Sequence, residues 1–321
     1  MATDGESLSS SRFARFEANY AAKIKPELEK LEVERRKAAR QFKLGIAAGL
    51  LGLLLIVIGL LANSGRPPIT MQSPLPGLFA LGGFTLFGGG FYRAFRIHGR
   101  FRGKMKSILV GKTCEFLGLD FVATDFVFPV ERFRDAFIVP DHRERLLEDR
   151  IAGTLNGVPF ELCEAHLKKK DGGEERNVFH GLLLLYRISR PFHGRTVLVP
   201  DLGRLGNHYH GAGHSMEAVA LDDPRFGDRF QVYSTDPVET HALLTPHFME
   251  AATELSGRFG NPWAFHAAFS DNCLLISIRV TKNMFEGGGL SKPAPARERV
   301  DELLAELKSI ASIAEIVEPG N

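Results

Sequence analysis

The sequence predicts an α+β protein: an N-terminal amphipathic helix, a two-helix transmembrane hairpin, then a cytoplasmic domain with a mainly antiparallel sheet and C-terminal helices. Three observations predict it. Two uncharged apolar runs lie close together early in the 321-residue chain. Strand-like segments then follow in hairpin order, with Asn156-Gly157 as the clearest turn signal. Helical patterns with clear start signals close the chain.

The first segment, residues 1–43, opens with small polar residues and turns helical from Arg12. Phe13, Phe16, Tyr20, Ile24, Leu28 and Leu31 recur at steps of three and four, with charged residues between them. Pro26 is expected to kink this helix or to start a second one. Its apolar stripe suits a coiled coil, packing on the cytoplasmic domain, or a position on the membrane with Arg35, Arg36 and Lys37 at the headgroups.

Residues 44–92 form the expected hairpin. Leu44 to Ala62 (LGIAAGLLGLLLIVIGLLA) has no charged or polar side chain. At ~1.5 Å per residue, 19 residues reach roughly 28 Å, close to the ~30 Å hydrocarbon core of a bilayer. Leu75 to Tyr92 (LPGLFALGGFTLFGGGFY) is also uncharged but rich in glycine, which is common in membrane spans. A buried core helix is the alternative reading of each run. A signal peptide is not expected, because a long charged segment precedes the first run. Gly45 and Gly49 form a GxxxG face suited to close packing within the hairpin or between two subunits.

The distribution of charge sets the expected orientation. Residues 1–43 hold ten Lys/Arg, residues 63–74 hold only Arg66, and residues 93–112 hold seven with no acid. Basic flanks stay cytoplasmic, so both termini are expected inside the inner membrane and the short loop outside. Residues 93–130 are read as a basic juxtamembrane helix and linker. Arg93, Arg96, Arg100, Arg102, Lys104 and Lys106 read either as a lipid-facing collar, each worth about 1 kcal/mol near anionic lipid, or as the positive-inside signal and nothing more. From residue 113 onward, thirty-one Asp/Glu outnumber twenty-two Lys/Arg. That acidic balance argues against nucleic-acid binding, which needs a basic face.

Leu117 to Val130 is aromatic-rich and reads as an extended docking segment. The cytoplasmic domain, residues 131–321, begins with strands at Arg150–Leu155 and Val158–Lys168, flanking Asn156-Gly157. Glu164 and His166 share one face of the second strand, while Cys163 takes the other. KKKDGGEE (residues 168–175) reads as a solvated turn, and Val178–Ile188 as a central strand because it is continuously apolar. Further strands are expected at Thr196–Val199 and Phe230–Tyr233. Asp236, Pro237 and Glu239 give a cap, a first helical residue and a capping box; Thr245-Pro246 starts a second helix ending near Ser256. A hairpin about Asp271-Asn272 and a last helix from Ala296 to Ile316 follow, the latter burying Val300, Leu303, Leu304, Leu307, Ile310 and Ile313.

The chemistry on offer is sparse. Three cysteines lie far apart without a CxxC pair. No phosphate loop, dinucleotide fingerprint, GxSxG or HExxH occurs. His208, His210 and His214 in the glycine-rich loop LGNHYHGAGH form the one histidine group with metal-ligand spacing; the alternative is an exposed loop. Cys163 and His166 fall on opposite faces, which disfavours a Cys–His nucleophile. His180 and the remaining single histidines read as surface or satisfied core residues. No cofactor is expected.

FYRAFR, EDRIAGTLNGVPFELCEAHL, VFHGLLLLYRI and LDDPRFGDRFQVYSTDPVETHALLTPHFME together resemble one bacterial family of two-pass membrane proteins, domain of unknown function number three-one-three-seven. The resemblance spans roughly Arg12 to Thr281. It implies the topology, a bacterial inner-membrane setting and a cytoplasmic domain, and no activity, cofactor or catalytic residue. The expected function is a membrane-anchored protein-interaction or scaffolding module rather than an enzyme, with a possible homo-oligomer. The alternatives are a membrane-tethered metal-dependent enzyme using the His208 loop and an anionic-lipid sensing domain.

Overall fold

The apolar periodicity at the N-terminus and the first apolar run merge into one helix. In a computed structural model that describes residues 15–16, 18–63, 75–155, 157–201, 216–221, 223–258, 264–286, 288–291, 293 and 297–317, a π-helical turn at Tyr20–Ile24 leads into α1, Lys25–Asn63. Pro26 lies inside a run that is already helical before Lys25, and the π-helical turn Tyr20–Ile24 falls immediately ahead of it, so it neither ends the helix nor starts a separate one. The second run and the start of the expected juxtamembrane helix form one helix, α2, Leu75–Lys106. One stretch among the described residues, Tyr20–Leu61, is long and apolar enough to cross a membrane.

The chain divides into two units. One comprises residues 20–109 and 286–300; the other comprises 1–19, 110–285 and 301–321. In the first unit α1 and α2 meet through glycine. A Cβ on Gly45 would stand 2.8 Å from the carbonyl oxygen of Gly90, and one on Gly90 would stand 2.6 Å from that of Gly45. Gly52 and Gly83 are similarly apposed. Outward, the same helices expose Leu50, Leu54, Leu61, Leu78, Leu81 and Phe84. The segment 286–300 is tied to this unit by polar bonds: Arg35 donates to the carbonyl of Leu290 at 2.6 Å, and Glu286 pairs with Arg102 at 2.7 Å and Lys106 at 3.3 Å.

The second unit is built on a nine-stranded sheet, all of whose described pairings are antiparallel. A short helix α3, Lys112–Leu117, precedes strand β1, Asp120–Val122, and helix α4 spans Val130–Asp135. The strands β2 (Glu144–Leu155), β3 (Val158–Asp171), β4 (Glu174–Arg187), β5 (Thr196–Pro200) and β6 (Glu217–Ala218) follow. After helix α5 (Pro224–Gly227) come β7 (Phe230–Ser234), α6 (Pro237–Leu243) and α7 (Pro246–Arg258). Strands β8 (Phe265–Ser270) and β9 (Cys273–Arg279) precede the last helix α8, Arg297–Val317. The sheet order is β1-β2-β3-β4-β9-β8-β5-β7-β6.

The continuously apolar segment is central as expected: β4 lies between β3 and β9. On one face Cys163, Ala165 and Leu167 join Leu183, Leu185, Leu275 and the α4 residue Phe133 in the core. On the other, the hydroxyl of the fully buried Tyr186 reaches α8. The residues expected to be buried on α8, Val300 through Ile313, are buried.

Several expectations need correction. Strand β2 begins at Glu144, not Arg150, because a bulge between Glu148 and Ile151 breaks the alternation that marks a strand. Asp149 holds a positive φ of 58° there. The solvated turn in KKKDGGEE contracts to Gly172-Gly173, both at positive φ, as β3 and β4 pair out to Asp171 and Glu174. The segment 117–130, expected to be extended, carries the strand β1 and meets α4 only at its last residue, Val130. Asp236 caps α6 through the N–H groups of Val238 and Glu239, but Glu239 closes no capping box. Its carboxylate accepts instead from the backbone N–H groups of His193 and Gly194.

Candidate metal centre

Cross-strand register builds the one group of His and carboxylate side chains among the described residues whose ligand atoms converge. Alternation along β3 puts Glu164 and His166 on one face, as the sequence implied. The β3–β4 ladder sets His166 directly opposite His180. Their rings stack with centroids 4.0 Å apart and planes at 17°. The β2–β3 ladder adds Glu148 opposite Glu164.

Glu164 is fully buried. One carboxylate oxygen, Oε1, lies 2.7 Å from His180 Nε2 and 3.6 Å from His166 Nε2. The other, Oε2, accepts the backbone N–H of Met284 at 2.9 Å, which fixes the plane of the carboxylate. His166 Nε2 is buried without a hydrogen-bond partner and lies 3.7 Å from Glu148 Oε2. Burial, and next the neighbouring His180, push the His166 pKa down, with Glu148 pulling it back up. Glu306 on α8 is raised to about 7, first by burial, then by Glu302, with Glu164 adding to the shift and Lys282 opposing it. Both imidazoles remain about a quarter exposed, while His166 Nε2 itself is buried.

Two of its three members are legible together in the sequence. Glu164 and His166 were placed together by alternation, but His180 was read as a single histidine. Counting outward from the Gly172-Gly173 turn would set His166 opposite Phe179; the register shift between Leu167 and Lys168 moves it opposite His180, and no local pattern announces that shift. His208, His210 and His214, the candidate ligands from the sequence, lie outside the described residues. The six residues of the basic collar divide. Arg93, Arg96 and Arg100 are exposed, whereas Arg102 and Lys106 pair with Glu286 and Lys104 pairs with Glu34. Cys114, Cys163 and Cys273 are free and buried. Burial pushes the thiol of Cys163 well above its usual range, which suits a packing residue rather than a nucleophile.

The described residues thus define an α+β protein with a long apolar N-terminal helix, a large antiparallel sheet and a C-terminal helix. Residues 177–318 match the family model described as Protein of unknown function (DUF3137), so the family resemblance holds over that stretch. The match starts within β4 and leaves the two apolar runs outside it. No curated protein matches the chain. A solved structure, the crystal structure of the mycobacterial trehalose monomycolate transport factor A, TtfA, shares 12% sequence identity at a TM-score of 0.36, over 69% of this chain and 99% of that one. A likeness of that size is too slight to define a common fold.

Proposed function

We propose that this chain is a two-pass membrane protein whose α+β domain binds a protein partner at the cytoplasmic face, as an anchored interaction or scaffolding module. The glycine-lined contact between α1 and α2 carries the reading. A helix pair that closes through Gly45, Gly90, Gly52 and Gly83 while turning leucine and phenylalanine outward has its small residues inside and its large apolar ones outside. In water that arrangement wastes apolar burial; in lipid it is how helices pack. The excess of Lys/Arg flanking both helices over the single Arg66 between them supports cytoplasmic termini.

Fusion of a reporter after Asn321 tests the topology. It reads cytoplasmic, and a cysteine at Ser64 labels from outside; periplasmic signal from the C-terminal fusion overturns the hairpin. In-membrane crosslinking of the full-length chain then recovers a defined partner, and recovery of only the chain itself leaves a homo-oligomer as the assembly.

Anionic-lipid sensing has its own observation. Arg93, Arg96 and Arg100 are exposed at i, i+3 and i+7 of α2, which places them along one side of the helix. Anionic lipid added to the detergent-solubilised chain raises its melting temperature under this reading, and replacing the three arginines by glutamine abolishes the rise.

A further inference from the structure

We infer that Glu164, His166 and His180 bind one divalent transition metal ion of the zinc class, with a fourth position open beside Glu148. Two imidazoles and one carboxylate are a donor set that suits zinc, and three protein ligands with an open fourth position are typical of zinc sites that hold water or a substrate. The inference is independent of the proposed interaction role and concerns only the sheet-bearing unit.

Metal binding requires small changes of distance and a reorientation of the two rings. In a tetrahedral zinc site with bonds of ~2.0–2.1 Å, ligand atoms stand roughly 3.3 Å apart. Glu164 Oε1 and His180 Nε2 are 2.7 Å apart and must open by a few tenths of an ångström. Glu164 Oε1 and His166 Nε2 are 3.6 Å apart and must close by a similar amount. All three ligand atoms already lie within 4.8 Å of one another. The rings stack with planes at 17°, so they must also turn out of the stack until both Nε2 lone pairs, which lie in the ring planes, point at one ion.

Two further features favour a cation. His166 Nε2 is a buried acceptor or donor with nothing to bond, and buried polar atoms in that condition are uncommon. An ion at the shared point satisfies it. The Met284 N–H bond to Glu164 Oε2 leaves Oε1 directed toward the two histidines, which is how an outer hydrogen bond orients a ligand carboxylate. Glu148 stands at the rim, 3.7 Å from His166 Nε2, in reach of a fourth ligand or of a water bound there.

The test uses the full-length chain in detergent, stripped with chelator and then equilibrated with Zn²⁺ alone. Metal analysis should show about one equivalent retained after desalting, and apparent stability should rise with Zn²⁺ concentration as it does for a ligand of the native state. Co²⁺ in place of Zn²⁺ should give the visible bands of a tetrahedral site. The decisive variant is His166→Phe. It keeps an aromatic ring stacked on His180 and removes an atom that makes no hydrogen bond, so the metal-free variant should melt with the wild type. Its zinc affinity should fall by more than about 100-fold, since changing an outer-shell partner alone costs ~10–100-fold. The triple variant His208→Ala, His210→Ala, His214→Ala should keep the equivalent. Absence of bound zinc in the wild type, unchanged affinity in His166→Phe, or loss of the equivalent in the triple variant each overturns the inference.

Discussion

The hydroxyl of Tyr186 donates a 2.9 Å hydrogen bond to the backbone carbonyl of Ile310, joining the centre of the sheet to α8. Both residues are fully buried, and burial pushes the phenol pKa upward, so the hydroxyl stays a donor across the accessible pH range. The ring also stacks on Phe160 at 6.1 Å between centroids. Tyr186→Phe keeps that packing and removes only the hydroxyl. Chemical denaturation should show a loss of about 1 kcal/mol, the net worth of one such bond. A loss several times larger would mean that the hydroxyl organises more than the Ile310 carbonyl.

The turn between β2 and β3 offers a cleaner backbone test. Gly157 has φ of +85°, and nothing lies within 4 Å of where its Cβ would be. Space is therefore not limiting and the cost of a side chain is conformational. Gly157→Val should destabilise the sheet-bearing unit by about 1–3 kcal/mol, because a β-branched residue resists positive φ. Gly157→Asn should cost less, since asparagine tolerates that region. Equal melting temperatures for all three proteins would show that the turn adapts.

What was legible in the sequence was local. The Asp271-Asn272 turn announces itself by two residues that tolerate positive φ, and both adopt it, at 50° and 55°. The apolar stripe of α8 and the Asp236 cap of α6 depend on neighbours three and four residues away, so they were read directly. The start of β2 was missed because the bulge at Glu148 to Ile151 hides its period. Glu239 reads locally as a capping-box residue and instead holds the backbone of His193 and Gly194, more than forty residues away. His180 was missed for the same reason. Its meeting with His166 depends on the register of a long hairpin, which pairs residues that no short window contains.

Glu306 should make stability depend on pH. Burial, then Glu302, raise its pKa from 4.5 to about 7, with Glu164 adding and Lys282 opposing. A carboxyl whose folded pKa is raised favours the folded state while protonated. Its contribution is fully present below the unfolded value and is lost as pH rises toward the folded one. Between about pH 4.5 and pH 7, then, this group weakens the fold progressively. Glu306→Gln carries no charge at any pH. It should match the wild type near pH 4 and exceed it at pH 8 by about 1–3 kcal/mol, taking ~1.4 kcal/mol per unit and allowing for partial exposure. A stability difference that does not change between those two pH values would remove Glu306 as its source.

The contact between α1 and α2 distinguishes glycines that touch from glycines that do not. Gly90 has the carbonyl of Gly45 and the N–H of Gly49 at 2.6 Å from a hypothetical Cβ, so a larger side chain must push backbone rather than a flexible tip. Gly82, Gly88 and Gly89 lie on the same helix with nothing within 4 Å. Gly90→Leu and Gly82→Leu therefore add the same atoms, the same helix propensity and the same hydropathy to α2. Any difference between them reports the helix–helix contact alone. In detergent micelles, thermal unfolding of the full-length chain should be lowered in Gly90→Leu, consistent with an overpacking cost of about 1–3 kcal/mol or more. Gly82→Leu should match or slightly exceed the wild type, because leucine is the better helix former. A disulfide engineered between the two helices should likewise form readily in Gly82→Leu and poorly in Gly90→Leu. If both variants behave alike, the two helices do not close through glycine, and the lipid reading of their outer leucines loses its main support.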